Sequence, residues 1–264
     1  MTTTPLKGRV AIITGATAGI GLAIAHDFAR LGAALVLNGR RAERLDALVK
    51  ELPTTCANVV GDCAEDETIR AMLDAGRALA IGRAPDLVVI NAGRGLRGSV
   101  LDSDTAQWEE MIRTNLLAAA KLLRESAKAM LADVEIQHAT NSGAKALASP
   151  RDIIVLGSTV GRHISPFSSM YGSTKFAANS LAEAARRELG PKGIRVSLIE
   201  PGFVVSEFQG VAGYDPAWFE SVKDRIGPPL TPDDVARSVS FVVTQPPAVH
   251  VSDVLIRPTR QDYP

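Results

Sequence analysis

Short apolar runs, separated by longer stretches of helical periodicity, constrain this chain more than any other feature. The runs are RVAIITG (9–15), ALVLNG (34–39), ANVVGD (57–62), DLVVIN (86–91), DIIVLG (152–157), IRVSLIEPG (194–202) and DVLIRP (253–258). Several stay apolar without alternating, as strands buried on both faces do. Helical patterns fill 19–31, 41–51, 65–80, 105–131, 170–189 and 232–245. Strand then helix, repeated, predicts a parallel sheet with helices on both faces. Right-handed crossovers make such a sheet doubly wound. There is no repeat of solenoid period and no low-complexity linker, so the sequence predicts one α/β domain over 1–264.

Composition narrows the partners. A chain of 264 residues with 46% hydrophobic content has enough apolar material for one large core. Twenty-nine basic residues balance 29 acidic ones, so no net charge draws the chain to nucleic acid or to an anionic membrane. Cys56 and Cys63 are the only cysteines, too few for a disulfide scaffold or a cysteine-rich zinc site. The 4 histidines show no ligand-like spacing, and no catalytic metal is expected. MTTTPLKGR reaches the first run without a signal-type apolar stretch, and no run approaches the ~18 residues a membrane span requires. The cytoplasm is the default compartment.

Two stretches break the rhythm. Residues 133–151 form a polar excursion between a helix and a strand, a length of connection that is usually functional or mobile. Residues 203–230 carry Pro216, Trp218, Phe219, Pro228 and Pro229. That mix suits a mobile cover over a site, with ordinary loop packing as the alternative.

ITGATAGIGLAIA ends the first run and opens the first helix. Gly15, Gly19 and Gly21 allow backbone or ligand to approach without a Cβ in the way. The helix start then offers free N–H groups to a pyrophosphate, with Thr17 and Ile20 in the same turn. A fold that binds NAD usually carries an acid at the end of the second strand for the ribose hydroxyl. Here Gly39 stands at that position, followed by Arg40 and Arg41. An arginine pair suits a 2′-phosphate and favours NADP(H) over NAD(H); two solvated arginines at a helix start is the alternative. Asp62, beside Cys63, ends the third strand, where its carboxylate can take the adenine amino group or cap the next helix. Asn91, Ala92 and Gly93 end the fourth strand and let the chain pass close beneath a nucleotide.

TGATAGIG (14–21), NAG (91–93), TN (114–115), GSTVG (157–161), YGSTK (171–175) and EPGFV (200–204) stand in the order of the short-chain dehydrogenase/reductase family. The chain resembles that family over most of its length. IEPGFV and DVLIRPT are most similar to the branch holding serine and allo-threonine dehydrogenases and clavaldehyde-type reductases. The resemblance implies a Rossmann-type fold and a homotetramer or homodimer built partly through the helices at 105–131 and 170–189. Two departures stand out: the excursion at 133–151 is longer than the family's link, and Thr159 follows Ser158 where many members have a second serine.

The resemblance also assigns chemistry. Hydride transfer at a carbonyl or alcohol requires a proton to move at the oxygen. A free tyrosine titrates near ~10, too high for a base near neutrality. Tyr171 and Lys175 lie four apart on one helical face, so the lysine, with help from an oxidised nicotinamide ring, is expected to lower the phenol and make it a usable acid/base. Lys175 also binds the nicotinamide ribose, Ser158 steadies the substrate oxygen, and Asn115 holds a water that connects Lys175 to solvent. Pro201 and Gly202 turn the chain across the nicotinamide, Val204 meets its carboxamide, and Ser206 contacts the pyrophosphate. His163 lies in the Ser158–Tyr171 loop and is expected to be surface packing. The expected activity is NADP(H)-dependent interconversion of a carbonyl and an alcohol on a small molecule. A 3-ketoacyl thioester reductase, which a basic patch at the pocket mouth would favour, and a non-catalytic NADPH-binding module are the alternatives.

Overall fold

The computed structural model describes residues 4–140 and 150–263, with the side chains of 134–140 left out of account. All seven apolar runs form strands: β1 (Val10–Thr14), β2 (Ala34–Gly39), β3 (Cys56–Val60), β4 (Leu87–Ile90), β5 (Asp152–Leu156), β6 (Arg195–Pro201) and β7 (Asp253–Ile256). They make one parallel sheet in the order β3-β2-β1-β4-β5-β6-β7.

Helices α1 (Gly19–Arg30), α2 (Ala42–Glu51), α3 (Asp66–Leu79), α4 (Trp108–Ile112), α5 (Ala118–Thr140), α6 (Ser169–Leu189), α7 (Phe208–Val211), α8 (Pro216–Ile226) and α9 (Pro232–Val243) complete the described chain. The unbroken apolarity of the strands has its reason in the two cores. Ala11, Ile13, Val89 and Ile154 pack with Phe28 of α1 and Val239 of α9. Their neighbours Ile12, Val88, Ile153 and Val155 pack on the other face with Met72 of α3, Leu122 of α5 and Ala182 of α6. A period of two puts successive residues on opposite faces, and here both faces are dry. The chain leaves β1 toward β3 and returns to β4 on the other side of β1. The C-terminal ends of β1 and β4 therefore flank a topological switch point, where such sheets bind ligands.

Three stretches depart from the sequence expectation. The helix expected over 105–131 is composite: a 3₁₀ turn (Thr105–Gln107), α4, a π-helical segment (Arg113–Leu117), then α5. Of the excursion expected over 133–151, residues 133–140 belong to α5. The sequence there meets no glycine or proline before Gly143, so nothing stops the helix; 141–149 lie outside the described residues. The 203–230 stretch holds α7 and α8. Asp215 caps α8 by accepting from the Trp218 amide at 2.8 Å, with Pro216 at the first helical position. A bridge between Val204 and Leu230 ties the two ends of the stretch together.

The N-terminal end of β5 buries a charge cluster. Asp152, with no exposed surface, receives Arg9 Nη2 at 2.8 Å and Arg195 Nε and Nη2 at 2.6 and 2.9 Å. Arg9 also donates to Asp86 at 3.2 Å and to the Val243 carbonyl. Arg195 Nη1 reaches the carbonyls of Gln245, Pro246 and Val249.

Candidate active site

A cleft of about 1260 Å³ opens at the C-terminal ends of the strands. Every residue anticipated for nucleotide or chemistry lines it except Gly21 and Asn115. Gly21 sits behind the turn, where a Cβ would run into the Gly15 carbonyl. Of the two expected reasons for a glycine there, the close approach of backbone to backbone is the one the turn displays, α1 lying against the end of β1. Gly15 takes φ +67°, and a Cβ on it would lie 2.9 Å from Asn91 Nδ2. Asn91 in turn donates to the Thr14 carbonyl at 2.8 Å, and Thr14 Oγ1 accepts from the Asn91 and Ala92 amides at 3.0 Å. The ends of β1 and β4 are thus locked together beneath the glycine turn. Ala18, at the N-cap of α1, supplies no side-chain cap, and no acid stands in the first turn. The first amides of a 12-residue helix face the cleft with their partial positive charge unspent.

At the end of β2, Arg40 is exposed on the cleft wall, and its charge reaches Asp62. Arg41 is more engaged than expected. Its Nε and Nη2 donate to Thr17 Oγ1 at 3.1 and 2.9 Å, and its Nη1 pairs with Glu207 at 2.8 Å. Arg44 holds the other oxygen of Glu207 at 2.7 Å. Asp62 accepts from the Ala64 amide at 2.9 Å and from Arg113 at 2.6 Å. Burial acts to raise its carboxyl, but the amide and the guanidinium outweigh it and hold the group below its usual range. Asp62 caps the turn before α3; the N-cap of α3 itself is Glu65. Burial lifts the Cys63 thiol to about 11.

Tyr171 and Lys175 stand one turn apart on α6, 8% and 7% exposed, with Ser158 of the β5 end beside them. Lys175 Nζ donates to the Leu156 carbonyl at 2.7 Å and lies 5.9 Å from the Tyr171 ring centroid. Burial pulls the lysine down to about 8. The phenol moves the other way. Burial pushes Tyr171 above its ordinary value, the neighbouring Tyr214 adds to the rise, and a hydrogen bond with Ser158 opposes it. For the protein by itself desolvation therefore wins at both groups; the expected acidification of Tyr171 counts on the charge of an oxidised nicotinamide beside that of Lys175. Ser158 also accepts from the Val160 amide at 3.4 Å, capping the 3₁₀ turn Thr159–Gly161.

Asn115 lies in the π segment, 4% exposed. Its Oδ1 accepts from the Arg94 amide at 2.8 Å, and its Nδ2 donates to the Arg94 carbonyl at 2.9 Å and to Thr174 Oγ1 at 3.1 Å. This side chain is spent on bracing the loop after β4 against α6. Gly93 stands between it and Lys175, since a Cβ there would meet Asn115 Oδ1 at 3.3 Å and Lys175 Nζ at 3.8 Å.

Gln261 holds the turn after β6: its Oε1 accepts from the Phe203 amide at 2.9 Å, and Gly202 leaves room for its amide group. Gln209 braces the next residues, donating to the Val204 carbonyl at 2.7 Å and accepting from the Ser206 amide at 3.0 Å. An aromatic chain closes the far wall: Tyr171 to Phe208 (5.6 Å between centroids), Phe208 to Tyr214 (6.5 Å) and Tyr214 to Trp218 (5.3 Å). Sequence reasoning reaches Arg94, Arg97, Glu207, Gln209 and Tyr214 only as members of the loops near 94–99 and 203–225 that it expects to shape the substrate site, and it missed Gln261 and Arg113. Only Tyr214 left a local signal, being one of 3 tyrosines. His163 meets Arg257 at 2.8 Å and does not line the cleft. Among the described residues, no cluster of His, Cys, Asp and Glu is placed to hold a metal, and no helix is long and apolar enough to cross a membrane.

Fold and cleft together define a Rossmann-type α/β protein with its cleft at the switch point. More narrowly, the family model described as short chain dehydrogenase matches residues 9–215, and the chain belongs to that family of oxidoreductases. It is 30% identical over 270 residues to the mouse (Mus musculus) dehydrogenase/reductase SDR family member 11, covering 97% of this chain and 96% of that one. Among solved structures, the closed form of a serine dehydrogenase complexed with NADP+ superposes with a TM-score of 0.80 at 28% identity, covering 96% of each chain. A metagenomic short-chain oxidoreductase in complex with NADP superposes at 0.75 with 31% identity, covering 97% of this chain and 99% of that one.

Proposed function

We propose that this chain is an NADP(H)-dependent oxidoreductase that interconverts an aldehyde or ketone with an alcohol. The observation that carries the reading is the buried Tyr171–Lys175 pair, set beside Ser158 in the same cleft as the uncapped glycine turn of α1. Two solved relatives hold NADP. The unspent amides of α1 fit a pyrophosphate. On this reading the Gly15–Ile20 turn and Ser206 hold it, Arg40 and Arg41 the 2′-phosphate, Asp62 with Cys63 the adenine edge, and Lys175 the nicotinamide ribose. Asn91, Ala92 and Gly93 pass beneath, and Pro201, Gly202 and Val204 border the nicotinamide ring. When bound, the nicotinamide supplies or accepts the hydride.

The protein's own part is proton transfer and charge stabilisation. Burial keeps Tyr171 protonated, which is the form a carbonyl reduction needs: the phenol gives its proton to the oxygen as negative charge grows there. Ser158 donates to the same oxygen. The Lys175 ammonium lowers the cost of the phenolate left behind, in a dry cleft where that charge counts for more than in water. Asn115 acts through position, holding Arg94 and Thr174. A homotetramer or homodimer and a cytoplasmic setting belong to the same reading, and sedimentation tests the first.

The test is a screen of NADPH oxidation over aldehydes, ketones and ketoacyl thioesters, with NADH in parallel. Turnover of small carbonyls with NADPH preferred is the expected result. Tight NADPH binding with no turnover on any of them identifies a non-catalytic nucleotide-binding module instead.

A further inference from the structure

Resting on that reading, the cleft also says something of its substrate. The loop between β4 and α4 brings two arginines to the cleft wall. Arg94 is half-buried; its Nη2 donates to Gln107, while its Nε is fully buried and meets no acceptor among the described residues. Arg97 is exposed within the cleft and held by its backbone, its amide donating to the Ala212 carbonyl at 2.9 Å. Neither forms an ion pair with a carboxylate among the described residues. Two acids on the same loop feel these charges but are engaged elsewhere. Asp102 accepts from the Ser99 hydroxyl at 2.7 Å, and Asp104 from the Ala106 amide and Gln107 Nε2 at 3.0 and 2.8 Å.

The arginines are tied to the chemistry by packing. Gly95, between them, lies against Phe208 and Ala212, where a Cβ would not fit. Phe208 packs at a tilt against both Tyr171 and Tyr214. The Arg97 charge reaches the Tyr214 phenol and draws it down against its burial. Two cations outside any ion pair among the described residues, in the same cleft as Tyr171 and along an aromatic wall, form an anion site of the guanidinium type.

We propose that the substrate is an oxo or hydroxy acid whose carboxylate is held by Arg94 and Arg97 alongside the Phe208–Tyr214 ring pair, with its reacting carbon at Tyr171. A phosphate on a thioester carrier would reach the cleft mouth, where Arg225 is already paired with Asp262 at 3.5 Å.

The experiment measures NADPH oxidation with 2-, 3-, 4- and 5-oxo acids of four to eight carbons against their methyl esters, with acetoacetyl thioesters as a third arm. The expected result is at least one acid with kcat/KM ten or more times that of its ester. In Arg97→Gln and Arg94→Gln that ratio falls toward one, chiefly through KM, and Arg97→Lys restores part of it. Esters reduced as well as acids, thioesters preferred to both, or ratios unmoved in the variants overturn the proposal. A separate titration keeps the anion site distinguishable from the activity. Tryptophan fluorescence of the NADPH-saturated protein is followed with hexanoate and with hexanamide. Hexanoate bound at least ten times more tightly, with the preference lost in both glutamine variants, supports the site even if no carbonyl turns over. Equal binding, or no binding of either, overturns it.

Discussion

The two ends of strand β5 solve the same problem in opposite ways. At the N-terminal end, Asp152 is buried with two arginines whose donors run to carboxylates and carbonyls. At the other end, beyond Leu156, Lys175 is also buried, with a single backbone carbonyl as its hydrogen-bond partner. Burying a charge is costly unless it is paired and hydrogen-bonded. The first end is saturated, so its charges can only hold the fold. The second is left in debt, and its lysine has donors to give to something that arrives. A saturated polar cluster marks structure, and an unsaturated one marks chemistry.

Substitutions at the two ends test that distinction. Tyr171→Phe carries the largest expected effect: turnover falls about a thousandfold, while NADPH binding and thermal stability barely move. Full activity in that variant removes the proton role altogether. Asp152→Asn should do the reverse. Two buried guanidiniums lose their main counter-charge, and urea unfolding should show a loss of about 3–5 kcal/mol, with NADPH affinity kept in the folded fraction.

Lys175→Met sharpens the contrast by sign. The folded lysine titrates at about 8 against an ordinary 10.5, so the unfolded chain binds more protons between those values, and wild-type stability rises with pH across that window. Below about pH 8 the burial penalty is present in full. The methionine variant should therefore be more stable than wild type at pH 7 by about 2 kcal/mol, lose that advantage as pH climbs toward 10.5, and have almost no turnover. A variant less stable at pH 7 contradicts the unsaturated end. The same titration predicts that wild-type kcat/KM for carbonyl reduction declines as pH passes about 8.

Smaller effects belong to the cofactor wall. Arg40→Ala should weaken NADPH about tenfold with little change for NADH in parallel fluorescence titrations. Equal losses dismiss the 2′-phosphate assignment. Glu207 occupies Arg41 and Arg44 at an exposed position. Glu207→Gln should tighten NADPH only about threefold, the scale of an exposed pair.

The strands, the glycine turn and the Tyr171–Lys175 pair were legible because each is a local pattern: unbroken apolarity, a residue without a Cβ, a spacing of four. The supports were not. Gln261 reaches Phe203 across 58 residues, Arg113 reaches Asp62 across 51, and Arg9 reaches Asp152 across 143. Nothing local in either partner specifies the other. The helices of 203–230 did leave a signal, since Asp215 followed by Pro216 is a cap and a first-turn proline. The burial that raises Tyr171 was illegible for a different reason: spacing gives direction along a helix but says nothing of how dry the surroundings are.

The π segment at Arg113–Leu117 acts as a gear. An α-helix turns about 100° per residue, and a wider turn with one residue more offsets everything after it by about that angle. Before the offset, Trp108 and Met111 face Val160 and Tyr171; after it, Ala118 and Leu122 face the sheet. One rod thereby serves two surfaces that no straight helix would address together. Deleting a single residue between 113 and 117 would leave the rod helical and its composition nearly unchanged, yet would swing one half out of mesh with the other.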